Sequence, residues 1–151
     1  MINVSFMPLR NGFPAGQAST LDVLVKVSSS SHVDRAAADR PALNLALVID
    51  RSGSMRGKPL EEAKRCAEMI IDRLASRDRL ALIAYDDRVD VLATSAPVQD
   101  KARLKGILAG LEERGTTDLH GGWEAGAGQA ARSLAPSRIS RVLLLSDGQA
   151  N

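Results

Sequence analysis

Residues 43–54 read LNLALVIDRSGS, and the two halves of this stretch decide the fold. Residues 43–49 are apolar apart from Asn44, a short continuous run that reads as a β-strand buried on both faces. Directly after it, Asp50-Arg51-Ser52-Gly53-Ser54 sets three oxygen-bearing side chains at alternate positions, as befits the loop at a strand's carboxyl end. Short apolar runs of the same kind return at residues 80–85 and 142–145.

The segments between these runs carry helical spacing. Over residues 59–75, Leu60, Ala63, Ala67, Ile70, Ile71 and Leu74 fall on one side and Glu61, Glu62, Lys64, Arg65 and Glu68 on the other, which predicts an amphipathic crossover helix. Pro59 suits its first turn, where a missing N–H costs nothing. Asp100 is placed to cap a second helix carrying Leu104, Ile107, Leu108 and Leu111. A third is expected from about residue 119 to 134, with Gly121 and Gly122 letting it pack close to the sheet. Only Asp86, Asp87 and Arg88 join residues 80–85 to the run at 89–93, too few for a crossover, so the latter is expected as an antiparallel hairpin partner at the sheet edge. The predicted class is α/β, a doubly wound and mostly parallel sheet with an antiparallel edge strand.

Outward from this core the chain changes character. Residues 20–28 alternate, with Leu21, Val23, Val25 and Val27 on one face and Asp22 and Lys26 on the other, which predicts a half-buried strand stopped by a run of serines. Residues 32–41 are polar and end in proline, and read as a linker. The expected organisation is an N-terminal β segment and linker over residues 1–40 and an α/β domain over residues 41–151. The chain stops at Asn151, straight after a buried strand and its loop. A doubly wound domain is expected to continue from there, so residues 41–151 read as its N-terminal portion and the remainder as a partner for the sheet.

Composition narrows the function classes. Over 151 residues, 44% hydrophobic and 25% charged content excludes disorder, collagen-like repeats and coiled coil. Aromatic content of 3% leaves no stacking platform for single-stranded nucleic acid. Twenty Lys and Arg against eighteen Asp and Glu give a net +2, which is no nucleic-acid footprint, and Lys101, Arg103 and Lys105 read as one solvated helix face. The single Cys66 cannot form an internal disulfide and is expected in the core. No apolar run approaches the roughly 18 residues of a membrane helix and no secretory leader pattern opens the chain, so a soluble, cytoplasmic protein without membrane insertion is expected.

The chemistry gathers at one edge of the predicted sheet. Asp50, Ser52 and Ser54 follow the first buried strand, Gly115-Thr116-Thr117-Asp118 precedes the third helix, and Ser146-Asp147-Gly148 follows the last strand. Open α/β sheets bind ligands at this edge. The candidate donors are hard oxygens with no thiolate or imidazole among them, a set that suits Mg²⁺ or Mn²⁺. Other polar residues are read plainly: His120 as a surface histidine, Asp86 and Asp87 as hairpin-turn residues, and Trp123 as core or helix packing.

In order and spacing, Asp50-Arg51-Ser52-Gly53-Ser54-Met55, Gly115-Thr116-Thr117-Asp118-Leu119 and Leu145-Ser146-Asp147-Gly148-Gln149 resemble the three motifs of the von Willebrand factor type A domain, a likeness that covers residues 43–151. The resemblance implies a Rossmann-like fold and a metal-ion-dependent adhesion site. In it Ser52, Ser54 and Thr117 would coordinate the ion through hydroxyls, Asp50 and Asp147 would reach it directly or through water, and Asp118, Gly53 and Gly148 would support them, Asp118 by orienting the loop or by capping the helix. The ion would be Mg²⁺, with Mn²⁺ or Ca²⁺ as alternatives. If neutral hydroxyls fill most of its inner shell, it keeps enough positive charge to take an acidic side chain of a partner protein. That is a binding function rather than an enzymatic one. Two rivals remain: a scaffold that joins subunits of a chelatase-like or motor assembly, and a Mg²⁺-dependent phosphatase with Asp50 as nucleophile and Asp147 holding the metal. The phosphatase reading suffers because Ser52 stands where such enzymes carry a second carboxylate.

Overall fold

The computed structural model describes residues 2–8, 23–29 and 40–148. The chain divides into two units, Met1–Arg40 and Pro41–Asn151. In the first, β1 (Ile2–Pro8) and β2 (Val23–Ser29) pair antiparallel from Ile2 opposite Ser29 to Pro8 opposite Val23. Sequence reading found β2 but not its partner, and the predicted residues 20–22, like residues 32–39 of the predicted linker, lie outside the described residues. The predicted half-burial of β2 is corrected: Val25 and Val27 are exposed, as are Val4 and Phe6 paired with them. Among the described residues of this unit, no second layer covers the apolar face of the two-stranded ribbon.

The second unit is built on a four-stranded sheet in the order β5-β4-β3-β6. β3 (Ala42–Asp50) lies at its centre, parallel to β4 (Arg79–Tyr85) on one side and to β6 (Arg138–Leu145) on the other. β5 (Val89–Pro97) runs antiparallel to β4 at the edge, with register shifts at Leu82. The continuous apolar run of β3 is explained by helices on both faces. Leu45, Leu47 and Ile49 join α1 (Lys58–Arg73) and α2 (Lys101–Ala109) in one core, while Ala46 and Val48 join α3 (Leu119–Ala131) in another.

The two layers are packed by different means. Leu60, Ala63, Ala67 and Ile71 of α1 bury an aliphatic stripe. Facing the other side of the sheet, α3 presents Gly122, Gly126 and Ala130, and a β-carbon on Gly126 would come within 2.5 Å of Val48 Cγ2. Small residues therefore set the distance on that face, and they leave no room there for an indole. Trp123, one residue round the helix from Gly122, is 54% exposed, which corrects its assignment to core or helix packing. Cys66 on α1 is half-buried rather than enclosed. Asp100 caps α2 as expected, accepting from the Arg103 N–H at 2.8 Å. Lys101 and Lys105 are not merely solvated: Lys101 Nζ donates to the Asp72 carbonyl at 2.8 Å and Lys105 Nζ pairs with the Asp72 carboxylate at 2.6 Å, tying α2 to α1.

Buried polar groups fix the strand ends away from the site. Asn44, the one polar residue in the β3 run, donates from Nδ2 to the Ala130 carbonyl at 2.8 Å and the Ser140 hydroxyl at 3.0 Å. Asp78 accepts from the N–H groups of Leu43 and Ala75 at 2.9 and 2.6 Å, joining the start of β3 to the chain after α1. β6 departs most from expectation. It begins at Arg138 instead of residue 142 and alternates between half-buried and exposed, because it is the edge strand of the sheet formed by the described residues.

Candidate metal centre

The order of strands creates the crevice. From β3 the chain crosses to β4 on one side and later returns through α3 to β6 on the other, so the strand order reverses at β3 and its carboxyl end lies at a topological switch point. Asp50 is the last residue of β3 and fully buried. Its Oδ1 accepts from the Ser52 N–H at 2.9 Å and its Oδ2 accepts from the Tyr85 hydroxyl at 3.1 Å. The first bond bends the chain sharply after the strand, and a short 3-10 turn, Gly53–Met55, follows. Met55 anchors this turn in the core, 1% exposed.

The turn brings Ser52 Oγ within 3.2 Å of Ser54 Oγ. An octahedral Mg²⁺ with bonds of about 2.1 Å sets neighbouring ligands roughly 3 Å apart, so the two hydroxyls stand at the separation of adjacent positions on such an ion. Hard, neutral oxygen donors beside one buried carboxylate fit a divalent cation of this class. Among the described residues no cluster of three His, Cys, Asp or Glu side chains forms a metal cage.

The second segment docks on the first through its backbone. Gly53 N–H donates to the Gly115 carbonyl at 3.1 Å, and Arg114 N–H donates to the Arg51 carbonyl at 2.8 Å. Gly115 has φ +67, and a β-carbon there would collide with the Asp87 carboxylate, so the contact requires glycine. Thr117 follows half-buried, and Asp118 N–H donates to the Asp86 carbonyl at 2.6 Å. Of the two roles open to Asp118, capping is observed: its carboxylate accepts from the Gly121 N–H at 2.9 Å at the start of α3. His120 is exposed, as expected for a surface histidine.

The third segment meets the first at Tyr85. Ser146 and Asp147 follow β6, with Ser146 Oγ accepting from the Gly148 N–H at 3.1 Å. The Ser146 hydroxyl and the Asp147 charge both act on the Tyr85 proton. Burial, the Asp50 charge and the hydrogen bond to Asp50 push this phenol far above its ordinary value, while the Ser146 hydrogen bond pulls slightly the other way. Tyr85 thus stays protonated and serves as a fixed donor. Gly122 makes room for it, since a β-carbon at that position would lie 2.6 Å from the Tyr85 ring.

Sequence reading missed Tyr85 and also the ion-pair network beneath the loops. Asp86, assigned to turn chemistry, is fully buried. It accepts from Arg51 Nε at 2.6 Å, Arg114 Nε at 2.7 Å and the Arg88 N–H at 2.9 Å. Asp90 bonds the same two guanidinium groups, to Arg114 Nη2 at 2.8 Å and to Arg51 Nη2. Burial alone would raise the Asp86 carboxyl, but hydrogen bonds from Arg114, the Arg88 backbone and Arg51 outweigh it and hold the group at about 2. Register was the available signal for Tyr85: parallel strands of matched length end together, with Tyr85 opposite Asp50.

A doubly wound α/β sheet with an antiparallel edge strand, three helices and its polar loops at one carboxyl edge defines a Rossmann-like α/β domain. The chain belongs to the von Willebrand factor type A domain family, whose model matches residues 45–149. It is 37% identical to the Synechocystis sp. protein sll0103 over 138 residues, covering 91% of this chain and 31% of that protein. It is 31% identical to the Magnesium-chelatase 60 kDa subunit of Rhodobacter capsulatus over 145 residues, covering 94% of this chain and 25% of that subunit. Among solved structures, the vWF domain of the type V pili tip protein Mfa5 from Porphyromonas gingivalis matches with TM-score 0.64 and 25% identity, covering 74% of this chain and 39% of that one. The chain spans less than a third of the length of these curated relatives. Domains of this family commonly mediate metal-dependent protein interactions. No described helix is long and apolar enough to cross a membrane.

Proposed function

We propose that this chain is a non-enzymatic, metal-dependent protein-binding module. In it Ser52, Ser54 and Thr117 hold a divalent cation, Mg²⁺ or in its place Mn²⁺ or Ca²⁺, through hydroxyls. Asp50 and Asp147 reach the ion directly or through water, Asp118 and Gly148 shape their loops, and Gly53 docks one loop on the other. Residues 41–151 act as the domain and residues 1–40 as a separate N-terminal β segment. The carrying observation is the 3.2 Å approach of the Ser52 and Ser54 hydroxyls beside a carboxylate whose two oxygens are already engaged.

An ion held this way supplies Lewis acidity to an incoming carboxylate. The residues of the chain orient the donors and keep the charge on them low, which favours capture of an acidic side chain on a partner protein. The phosphatase reading is disfavoured by Ser52, which stands where such enzymes carry a second carboxylate. Water-proton relaxation of the Mn²⁺-loaded chain tests the proposal. A glutamate-containing peptide is expected to displace bound water and lower the relaxivity, and its glutamine counterpart to leave it unchanged; equal responses to both would contradict the proposal. Hydrolysis of a phosphate ester that Asp50→Asn abolishes would favour the enzyme instead.

The similarity to a chelatase subunit supports a second use of the same chemistry, in which the acidic group belongs to a neighbouring subunit of an assembly. Loss of co-purifying subunits on adding chelator would identify that case.

A further inference from the structure

Two arginines outside the proposed ligand set are arranged around two carboxylates. Arg51 lies inside the loop that carries Asp50, Ser52 and Ser54, and Arg114 lies three residues before Thr117. Both guanidinium groups converge on Asp86 and on Asp90, which stand at opposite ends of the β4–β5 turn. The main chains of the same two arginines are joined by the Arg114 N–H bond to the Arg51 carbonyl at 2.8 Å. Each carboxylate thus bridges two like charges held side by side, and the four formal charges cancel.

We propose that this quartet is a clamp that fixes the serine loop against the threonine loop, with Arg51, Asp86, Asp90 and Arg114 as positioning residues for the cation. The inference rests on the metal reading above for its effect on affinity, and on the clamp geometry alone for its effect on the loops. Arg51 is 8% exposed at its side chain and Asp86 0%, so this half of the quartet works away from solvent screening. Arg114 is 49% exposed, which makes it the member that can be removed with least risk to folding.

The sign of the effect separates the clamp from plain electrostatics. Removing a positive charge near a cation site by itself tightens binding. Loss of a group that orients ligands typically weakens it by about 10- to 100-fold. Arg88 supplies the comparison: it is exposed at the same rim and its side chain pairs only loosely, at 4.0 Å, with Asp87.

The 151-residue chain and its Arg114→Gln and Arg88→Gln variants are titrated with Mn²⁺ at fixed ionic strength, with circular dichroism confirming full folding. Amide exchange is then followed in EDTA. The expected result is a Kd raised by about tenfold or more in Arg114→Gln and unchanged or lowered in Arg88→Gln. In EDTA, Arg114→Gln alone is expected to speed exchange at the Gly53 and Arg114 amides while the β3 amides stay protected. An unchanged or tighter Kd in Arg114→Gln overturns the clamp's role in binding. If the parent chain binds no Mn²⁺, the metal reading fails and exchange alone decides: faster loop exchange upholds the clamp, and unchanged protection overturns it.

Discussion

Tyr85 and Asp50 end neighbouring parallel strands in register, and the Tyr85 hydroxyl donates to Asp50 Oδ2 at 3.1 Å with both side chains fully buried. The bond holds the carboxylate at one angle and supplies part of what it loses on leaving water. Tyr85→Phe removes the donor and leaves a buried oxygen unsatisfied, at a cost of about 1–3 kcal/mol. A cation beside Asp50 compensates the same charge. Thermal melts are therefore expected to show a larger loss for Tyr85→Phe in EDTA than in excess Mg²⁺. Equal losses in the two conditions would separate this bond from the metal.

Close packing of α3 yields a paired prediction. Alanine at Gly122 would press its β-carbon against the Tyr85 ring, whereas alanine at Gly128 would meet nothing within 4 Å. Replacing a helical glycine by alanine gains up to about 1 kcal/mol where space allows, and overpacking costs about 1–3 kcal/mol where it does not. Denaturant titration should find Gly128→Ala more stable than the parent chain and Gly122→Ala less stable.

Asp86 makes the domain sensitive to acid. Its carboxyl is held at about 2 in the folded chain against an ordinary 3.8, so its contribution is fully present above pH 3.8 and is lost as pH falls through about 2. The difference corresponds to roughly 2 kcal/mol. Asp86→Asn should therefore be clearly less stable than the parent at pH 6, with the gap narrowing steadily between pH 4 and pH 2. A gap independent of pH would mean that the carboxylate charge is not what Arg51 and Arg114 hold.

The parts of the fold legible in the sequence are those where local pattern and tertiary burial agree. β3 and β4 are covered on both faces and carry apolar residues at nearly every position, so their extents were readable to within a residue. β5 was predicted to stop at residue 93 but continues to Pro97, because pairing with β4 and the hydrogen bond from Ser95 N–H to Gln129 Oε1 at 3.1 Å carry polar residues that no periodicity marks. Trp123 misled because hydrophobicity names a preference for burial, whereas the space under α3 is set by Tyr85 and Val48 on the strands facing it.

The same division runs through the candidate site. Asp50, Ser52 and Ser54 were readable because one turn brings them together at a spacing of two residues. Arg51 and Arg114 come from separate loops and Asp86 and Asp90 from the two sides of the β4–β5 turn, and only the folded sheet puts all four in contact. Asp86 and Asp87 look alike in sequence, yet one is buried among arginines and the other exposed. Burial decides which of two adjacent aspartates carries structural charge, and single-sequence pattern does not encode it at a turn.

The central claim, that the loops at the carboxyl edge of the sheet hold a divalent cation, is tested most directly by titrating the chain with Mn²⁺ and following the paramagnetic signal of the free ion. Asp50→Ala serves as the control, and circular dichroism establishes that both proteins are folded. The account predicts saturable binding at one site in the parent chain, competed by Mg²⁺ and lost in Asp50→Ala. A folded parent chain that leaves all the added Mn²⁺ free, or a folded variant that binds it equally well, would contradict the account.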